Sequence, residues 1–255
     1  KQPDGTLLVP PPVPLAEDGV ALIPHSGESN QALTHDGKVY LVYGRITILP
    51  GHKKEEGVPA FARTYDLKTK QLSEPVLIGF GGINAEDDHN WPGLTADSQG
   101  ILHVVINGHH DPFTYTRSVR PWDISEWTTS EKVAAGTSYA GLVCDDRNTL
   151  YTVTRHAEPG YYFRLSLHRK LAGQPWEAPQ YLVLPYKPYY HVYYHKLTLD
   201  PQRQRLFLCY WTQTAALCLF RDEYYAAVYM WPDRQKPFLE RNPQLPLGSF
   251  EQQPA

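Results

Sequence analysis

A short turn followed by an alternating apolar strand recurs four times along this chain, and it limits the possible folds more than any other feature. The four turns are Asp36-Gly37, Asp97–Gly100, Asp145–Asn148 and Asp200–Gln204. The segments after them, such as Lys38–Tyr43 and Ile101–Ile106, carry the alternation and the β-branched residues of strands. No segment shows a convincing helical period, so the pattern predicts an all-β protein.

A repeated unit of this size with several strands is typical of a β-propeller built from four-stranded antiparallel blades. A sandwich also contains many short strands, but it has no reason to repeat one unit. The units lie at about 31–80, 89–135, 137–185 and 189–232, with further strand-like residues at 19–24. We expect a single domain over 1–255 with about four to five blades, and irregular Pro-rich ends at about 1–18 and 233–255.

Charge and hydropathy exclude some classes of protein. The formal net charge of −3 disfavours a nucleic-acid binder, because such proteins usually present a basic surface. No apolar run approaches the roughly 18 residues of a membrane span, so we expect no membrane insertion. The chain begins at Lys1 without an apolar leader. We therefore expect a secreted or periplasmic protein whose signal has been removed, and a monomer.

The first group of candidate site residues lies at two strand ends. His89 precedes one predicted strand, and the pair His109-His110 follows the next. Because the intervening residues form a hairpin, these histidines should return to the same end of one blade. Imidazole titrates near neutrality, so two histidines there suit acid–base catalysis, and they also suit a metal. A third interpretation is that Asp88 and His89 only tie the blade together through hydrogen bonds.

The second group lies in the next unit. Ser138–Gly141 opens a predicted strand, and Arg155 follows Tyr139 by 16 residues, which places these two side chains next to each other. An Arg that neutralises a carboxylate while a Tyr and a His transfer protons is what a uronic-acid lyase requires. The alternative is a packed tyrosine beside a salt-bridged arginine. For the lyase role we expect Arg155 to be an exposed cleft side chain, whose removal leaves the fold nearly intact.

With these residues the chain resembles the propellers related to bacterial neuraminidase repeats (BNR-type), and within them the propeller-fold ulvan lyases. The resemblance rests on Asp87–His110 and on Tyr115–Ser118. A DDHN-type motif and a histidine 20 residues later match His89 and His109. It implies a polysaccharide lyase that cleaves an acidic, sulfated, uronic-acid-containing glycan by β-elimination. Members of this family usually have about seven blades, more than the four or five visible here.

The resemblance also implies roles for single residues. His89 and Tyr139 flank the substrate as acid and base, in an order that stays open, and Arg155 neutralises the uronate carboxylate. His109 supports or shares the role of His89. Further substrate contacts are expected from Tyr194, Asn90 and His110.

The cysteines raise a separate hypothesis. Cys209 and Cys218 lie on adjacent predicted strands, with His195 on the strand before them. Propeller lyases of this type include members with a structural zinc, so the resemblance implies these three as ligands. Buried core cysteines, or a disulfide between Cys209 and Cys218, are the alternatives. No cofactor is expected for the chemistry itself.

Two other functions stay open. A sialidase-like glycoside hydrolase needs a carboxylate pair or a Tyr/Glu nucleophile in the channel. A non-catalytic propeller that binds glycan or protein is compatible with the many aromatic residues, and it predicts that His89, Tyr139 and Arg155 do not converge within hydrogen-bonding reach.

Overall fold

The strands follow the predicted units closely. A computed structural model describes residues 11–16, 19, 30–158, 161–183, 191–214 and 219–230. Within these ranges there are fourteen strands, one 3-10 turn (Lys54–Glu56) and no α-helix. The strands are β1 Ala32–His35, β2 Lys38–Gly44, β3 Val58–Asp66, β4 Val76–Gly81, β5 Pro92–Ala96, β6 Leu102–Ile106, β7 Asp111–Arg117, β8 Glu131–Cys144, β9 Leu150–Glu158, β10 Tyr161–Lys170, β11 Gln180–Val183, β12 His191–Leu199, β13 Arg205–Thr214 and β14 Leu219–Met230.

All strand pairs are antiparallel between sequence neighbours, as the blades of a propeller require. Strands β1 to β4 form the first blade, and β12 to β14 are the described strands of the fourth. Strands β5 to β11 form one seven-stranded sheet. The 14-residue strand β8 divides that sheet into two blades, because Glu131–Val133 pairs with β7, Ser138–Cys144 pairs with β9, and Thr137 between them pairs with both. The predicted all-β, propeller-like class with four-stranded antiparallel blades is thereby confirmed.

A hydrophobic core fills each space between adjacent blades. In β6, Val104 and Ile106 pack against the first blade, while Val105 packs against the third. In β8, Leu142 faces the second blade and Val143 faces the fourth. Successive side chains of a strand point to opposite faces, so a strand buried on both faces must be apolar along its whole length. This explains why β6 is apolar from Val104 to Ile106.

In three of the recurring turns, the Asp side chain accepts hydrogen bonds from backbone N–H groups later in the same turn. The Oδ1 atom of Asp97 accepts the backbone N–H groups of Gln99 and Ile101, both at 2.9 Å. Asp145 and Asp200 cap their own turns in the same way, with N–H···O distances of 2.6 to 3.0 Å. Asp side chains favour such turns because they accept hydrogen bonds from backbone a few residues ahead. The repeat seen in the sequence is therefore a repeat of turn caps.

Arg203, in the third of these turns, connects three blades. Its Nε donates to the carbonyl of Cys144 at 2.8 Å, and its Nη2 donates to the carbonyl of Ala96 at 2.9 Å. These carbonyls lie 59 and 107 residues away in the chain. One guanidinium thus joins the second, third and fourth blades.

Replacing Arg203 should therefore loosen the packing of blades. We expect Arg203→Ala to lower the free energy of unfolding by about 2 kcal/mol, because it removes two charge-assisted hydrogen bonds. Urea titration measures the change. Arg147→Ala is the matched control, since Arg147 is exposed and should shift stability by less than about 0.5 kcal/mol. Equal stability of the two variants would show that Arg203 does not hold the blades together.

Two further expectations meet the structure only in part. The Pro-rich ends lie outside the described residues except for residues 11–16, and the extent of the domain stays a prediction. Of the strand-like segment 19–24, only Gly19 is described, in an isolated bridge with Arg45. Among the described residues no helix has the length and apolar character to cross a membrane.

Candidate active site

The predicted histidines meet where β6 ends and the chain enters β5. The rings of His89 and His109 stack with centroids 3.9 Å apart and an interplanar angle of 15°. The carboxylate of Asp87 lies against both: its Oδ1 is 2.6 Å from Nδ1 of His89, and its Oδ2 is 3.0 Å from Nδ1 of His109. Oδ1 also accepts the backbone N–H of His89 at 3.0 Å, which closes a tight turn. The hairpin brings the two histidines together as predicted.

The charge of Asp87 determines what the histidines can do. Burial alone would raise the pKa of this carboxyl, but the hydrogen bonds from His109 and His89 outweigh it and lower the pKa far below its usual range. The carboxylate is therefore ionised at neutral pH and can only accept hydrogen bonds, so Nδ1 of each histidine must be the donor. Each ring is left with Nε2 as the atom that exchanges a proton. The side chains are 30% and 22% exposed, so solvent or substrate reaches them.

Three buried polar side chains support the loops of the site. Asn90 accepts the backbone N–H of His109 on its Oδ1 at 2.8 Å, and Ser138 accepts the backbone N–H of His110 on its Oγ at 3.0 Å. Asn107 accepts the backbone N–H of Ala140. Each bond joins two segments distant in sequence, so the site is held by side chain–backbone contacts. Asn90, expected to contact substrate, lies here as support for His109, with 1% of its surface exposed.

Tyr139 lies at the bend of β8, inside the strand and not at its start as predicted. Its φ is +61°, a left-handed conformation that costs a non-glycine residue about 1 kcal/mol. The ring stacks on Trp91 with centroids 5.3 Å apart, and it lies 6.2 Å from both His89 and His109. Strain of this kind concentrates at functional sites, where the surrounding structure enforces it.

Arg155 lies beside Tyr139, as the spacing predicts, but it is not the exposed cleft side chain that we expected. Its Cζ is 4.3 Å from the centroid of the Tyr139 ring, and only 3% of the residue is exposed. Ser138 and Arg155 are cross-strand partners, which directs the guanidinium under the tyrosine ring. The prediction of exposure was wrong because aromatic side chains from other strands cover this arginine.

The remaining substrate candidates surround these two residues. Tyr194 of β12 has its ring 5.5 Å from that of Tyr139 and 5.7 Å from Cζ of Arg155. His110, with φ of +66°, has its ring 4.3 Å from that of His109. Burial, followed by the positive charges of His109 and Arg155, lowers the pKa of His110 to about 4. His110 is therefore a neutral neighbour of the stacked pair at neutral pH.

Potential metal ligands occur at the same place. Among the described residues, Asp87, His89 and His109 form the cluster whose ligand atoms all lie within 4.8 Å of one another. A cation there would have to replace the hydrogen bonds between Asp87 and the two Nδ1 atoms. Of the predicted zinc ligands, Cys218 and the side chain of Cys209 lie outside the described residues. His195 is fully buried, and its Nε2 is 2.8 Å from the carbonyl oxygen of Val153.

Sequence reasoning missed four residues that shape the site: Asp87, Trp91, Asn107 and Ser138. One signal was present, because an Asp two residues before His89 is the spacing of an Asx turn. No local pattern indicates that the same carboxylate also reaches His109, which lies 22 residues later.

Comparisons with known proteins agree with this architecture. The chain is 24% identical over 161 residues to an ulvan lyase of Nonlabens ulvanivorans, covering 54% of this chain and 31% of that protein. It is 25% identical over 117 residues to an ulvan lyase of Alteromonas sp. (strain LOR), covering 38% and 24%. The chain thus spans less than a third of the length of either relative.

Among solved structures, a family PL25 ulvan lyase bound to the saccharide GlcA(1-4)Rha3S superposes with a TM-score of 0.62 at 16% identity. The match covers 84% of this chain and 54% of that one, and it supports the propeller-like fold. Residues 59–226, more than half of the chain, match the profile described as "BNR repeat-containing family member". The chain belongs to this BNR repeat-containing family.

Proposed function

We propose that this protein is a polysaccharide lyase that cleaves a sulfated, uronic-acid-containing glycan of the ulvan type by β-elimination. The observation that carries the proposal is the convergence of a carboxylate-held histidine pair with Tyr139 and Arg155. The names of its relatives support the same chemistry. Two similar proteins are ulvan lyases, and the similar solved structure is an ulvan lyase bound to GlcA(1-4)Rha3S. Because a polysaccharide does not cross a membrane unaided, the proposal includes a secreted or periplasmic location.

The proposed site supplies the three groups that elimination needs. One of His89 and Tyr139 removes the proton at C5 of the uronate. The electron pair of that C–H bond forms the C4–C5 double bond, the bond from C4 to the glycosidic oxygen breaks, and the other residue protonates that oxygen. His109 shares the Asp87 carboxylate with His89 and assists it. These assignments leave the order of acid and base open.

Positive charge near the scissile sugar lowers the cost of removing the C5 proton. Enolate character develops on the uronate carboxylate during this step, and a fixed cation stabilises it. In this proposal Arg155 contributes its charge from beneath the Tyr139 ring, where low solvent access strengthens the interaction. The same charge stabilises negative charge that develops on the tyrosine oxygen.

The geometry is less favourable to the two alternatives. A glycosidase of the two-carboxylate type needs an acid or nucleophile free to act, but Asp87 is held by two imidazoles and a backbone N–H. A non-catalytic propeller predicts that the three key side chains do not converge within hydrogen-bonding reach. The centroid of the Tyr139 ring lies 6.2 Å from the ring centroids of His89 and His109 and 4.3 Å from Cζ of Arg155, and this clustering supports a catalytic site.

Ultraviolet absorbance tests the proposal directly. Elimination creates a conjugated C4–C5 double bond, which hydrolysis does not produce. The purified protein should raise the absorbance of ulvan with time, but not that of a sialoside. New reducing ends without absorbance would favour hydrolysis, and a folded protein silent on ulvan and other uronic-acid polysaccharides would favour a binding module.

Asp87 provides a sharper prediction within this scheme. Asp87→Asn keeps the size of the side chain but cannot accept hydrogen bonds from both histidines, because one of its two terminal groups is now a donor. We expect kcat to fall about 100-fold with little change in KM, and the pH–rate profile to shift. Glu86→Gln is the matched control, since the Glu86 side chain is 62% exposed and forms an ion pair with Lys54 outside the histidine pair. An unchanged kcat for Asp87→Asn would show that Asp87 has no role in the reaction.

A further inference from the structure

A second polar cavity lies between the second and third blades, away from the candidate active site. It has a volume of about 480 Å³, within the usual range of small-ligand sites of roughly 300–1,000 Å³. His103, near the start of β6, lines it, whereas His109 follows the end of the same strand. At about 3.3 Å per residue, the two sites lie about 20 Å apart at opposite ends of the blade.

The floor of this cavity is already satisfied by internal bonds. His103 is engaged through both ring nitrogens: Nδ1 is 2.8 Å from the Tyr115 hydroxyl, and Nε2 is 3.4 Å from Oδ2 of Asp97. Oδ1 of Asp97 caps its turn. Burial raises the pKa of Tyr115, which keeps its hydroxyl protonated. These residues hold one another in place, so ligand binding falls to the walls of the cavity.

The walls carry two cations. Arg117 is exposed, and no carboxylate of the described residues lies within ion-pair distance of its guanidinium. Lys170 has its Nζ 5.5 Å from the centroid of the Tyr115 ring, donates to the carbonyl of Gln174, and lies 4.0 Å from a carboxylate oxygen of Glu131, which also lines the cavity. Gln99 and Asn148 add amide groups that suit hydroxyls. A guanidinium with no carboxylate partner among the described residues, beside a lysine and two amides, matches an anionic group on a hydroxylated ring.

We propose that this cavity binds an anionic saccharide unit, a sugar ring that carries a carboxylate or a sulfate ester, independently of the candidate active site. Arg117 holds the anionic group in a two-pronged hydrogen bond, and Lys170 adds a second charge. The site does not take part in the cleavage step. It retains a charged chain at a second point of the propeller.

Three sugars that share the same pyranose ring test the proposal on the folded chain of 255 residues. Glucose, glucuronate and glucose 6-sulfate differ only at C6. Glucose has a neutral hydroxymethyl group there, glucuronate has a carboxylate, and glucose 6-sulfate has a sulfate ester. Titration followed by NMR should show amide shifts at residues 115–117 and 148–150 with at least one of the two anions, and roughly tenfold weaker binding of glucose. Binding of all three sugars with equal affinity would overturn the proposal.

Variants separate this cavity from the active site. Arg117→Gln should weaken binding of the anionic sugar roughly tenfold, whereas Arg120→Gln, three residues later but outside the cavity lining and paired with Asp123 and Glu126, should not change it. His89→Ala should leave this binding intact. Two results would contradict the proposal: loss of anionic-sugar binding in His89→Ala, or unchanged binding in Arg117→Gln. If the protein fails to cleave any polysaccharide yet shows the predicted shifts, only the proposed lyase function fails.

Discussion

Tyr139→Phe should reduce turnover of ulvan about 1,000-fold while the protein stays folded. The substitution removes one oxygen atom and keeps the ring, so the stacking on Trp91 and the contact with Arg155 remain. The conformation at residue 139 is also unchanged, because phenylalanine has the same backbone and Cβ as tyrosine. A large loss of kcat without a loss of stability would therefore identify the hydroxyl as a proton donor or acceptor.

The initial rate of absorbance increase on ulvan measures this effect, and circular dichroism checks the fold. Tyr40→Phe is the matched control, because it removes the same oxygen atom from a buried tyrosine in another part of the propeller, where the hydroxyl donates to the carbonyl of Trp122 at 3.0 Å. Tyr40→Phe should lose about 1 kcal/mol of stability and keep its kcat. Near-normal turnover of Tyr139→Phe would show that the tyrosine only packs.

Arg155→Ala should affect both folding and activity, in contrast to the expectation from the sequence. The side chain is 3% exposed and lies between the rings of Tyr139 and Tyr194, so its removal leaves a cavity and unsupported aromatic rings. We expect the free energy of unfolding to fall by about 3 kcal/mol and turnover to become undetectable. Urea titration and the absorbance assay measure the two effects on the same sample.

A second substitution separates charge from packing. Arg155→Lys keeps the positive charge but loses the planar group that lies over the Tyr139 ring. It should recover most of the stability and only part of the turnover. Arg205→Ala is the control, because Arg205 is exposed and its removal should change neither quantity. Stability of Arg155→Ala equal to that of the unchanged protein would mean that this arginine is not packed in the site.

The sequence predicts the strands well because their pattern is local. Alternating apolar residues after an Asp turn predict the first residue of β2, β6, β9 and β13 to within one residue, whereas β9 and β13 continue about four residues beyond their predicted ends. The strand that differs is β8, which begins at Glu131 and not near Ser138. It continues through the bend because its two halves pair with different neighbours, β7 and β9, and pairing partners are not encoded in the strand itself.

In the candidate site, too, contacts within one hairpin could be predicted from the sequence, whereas contacts that depend on the folded chain could not. A hairpin between His89 and His109 brings its two ends together, so their contact could be predicted from the spacing alone. Asp87 as a shared carboxylate could not be predicted, because its second hydrogen bond depends on how a loop after β6 folds back. The depth of Arg155 also could not be predicted, since Tyr194, which covers it, belongs to another blade.

The sequence by itself determined the all-β class, the succession of blades and the strand ends at which the histidines, Tyr139 and Arg155 lie. These features depend on side-chain alternation and turn chemistry within a few residues. Only the tertiary structure decided which of these groups are buried, which carboxylate orients the histidine pair, and how Arg203 joins three blades. Those properties arise from contacts between blades, where packing and hydrogen bonding join residues that are far apart in the chain.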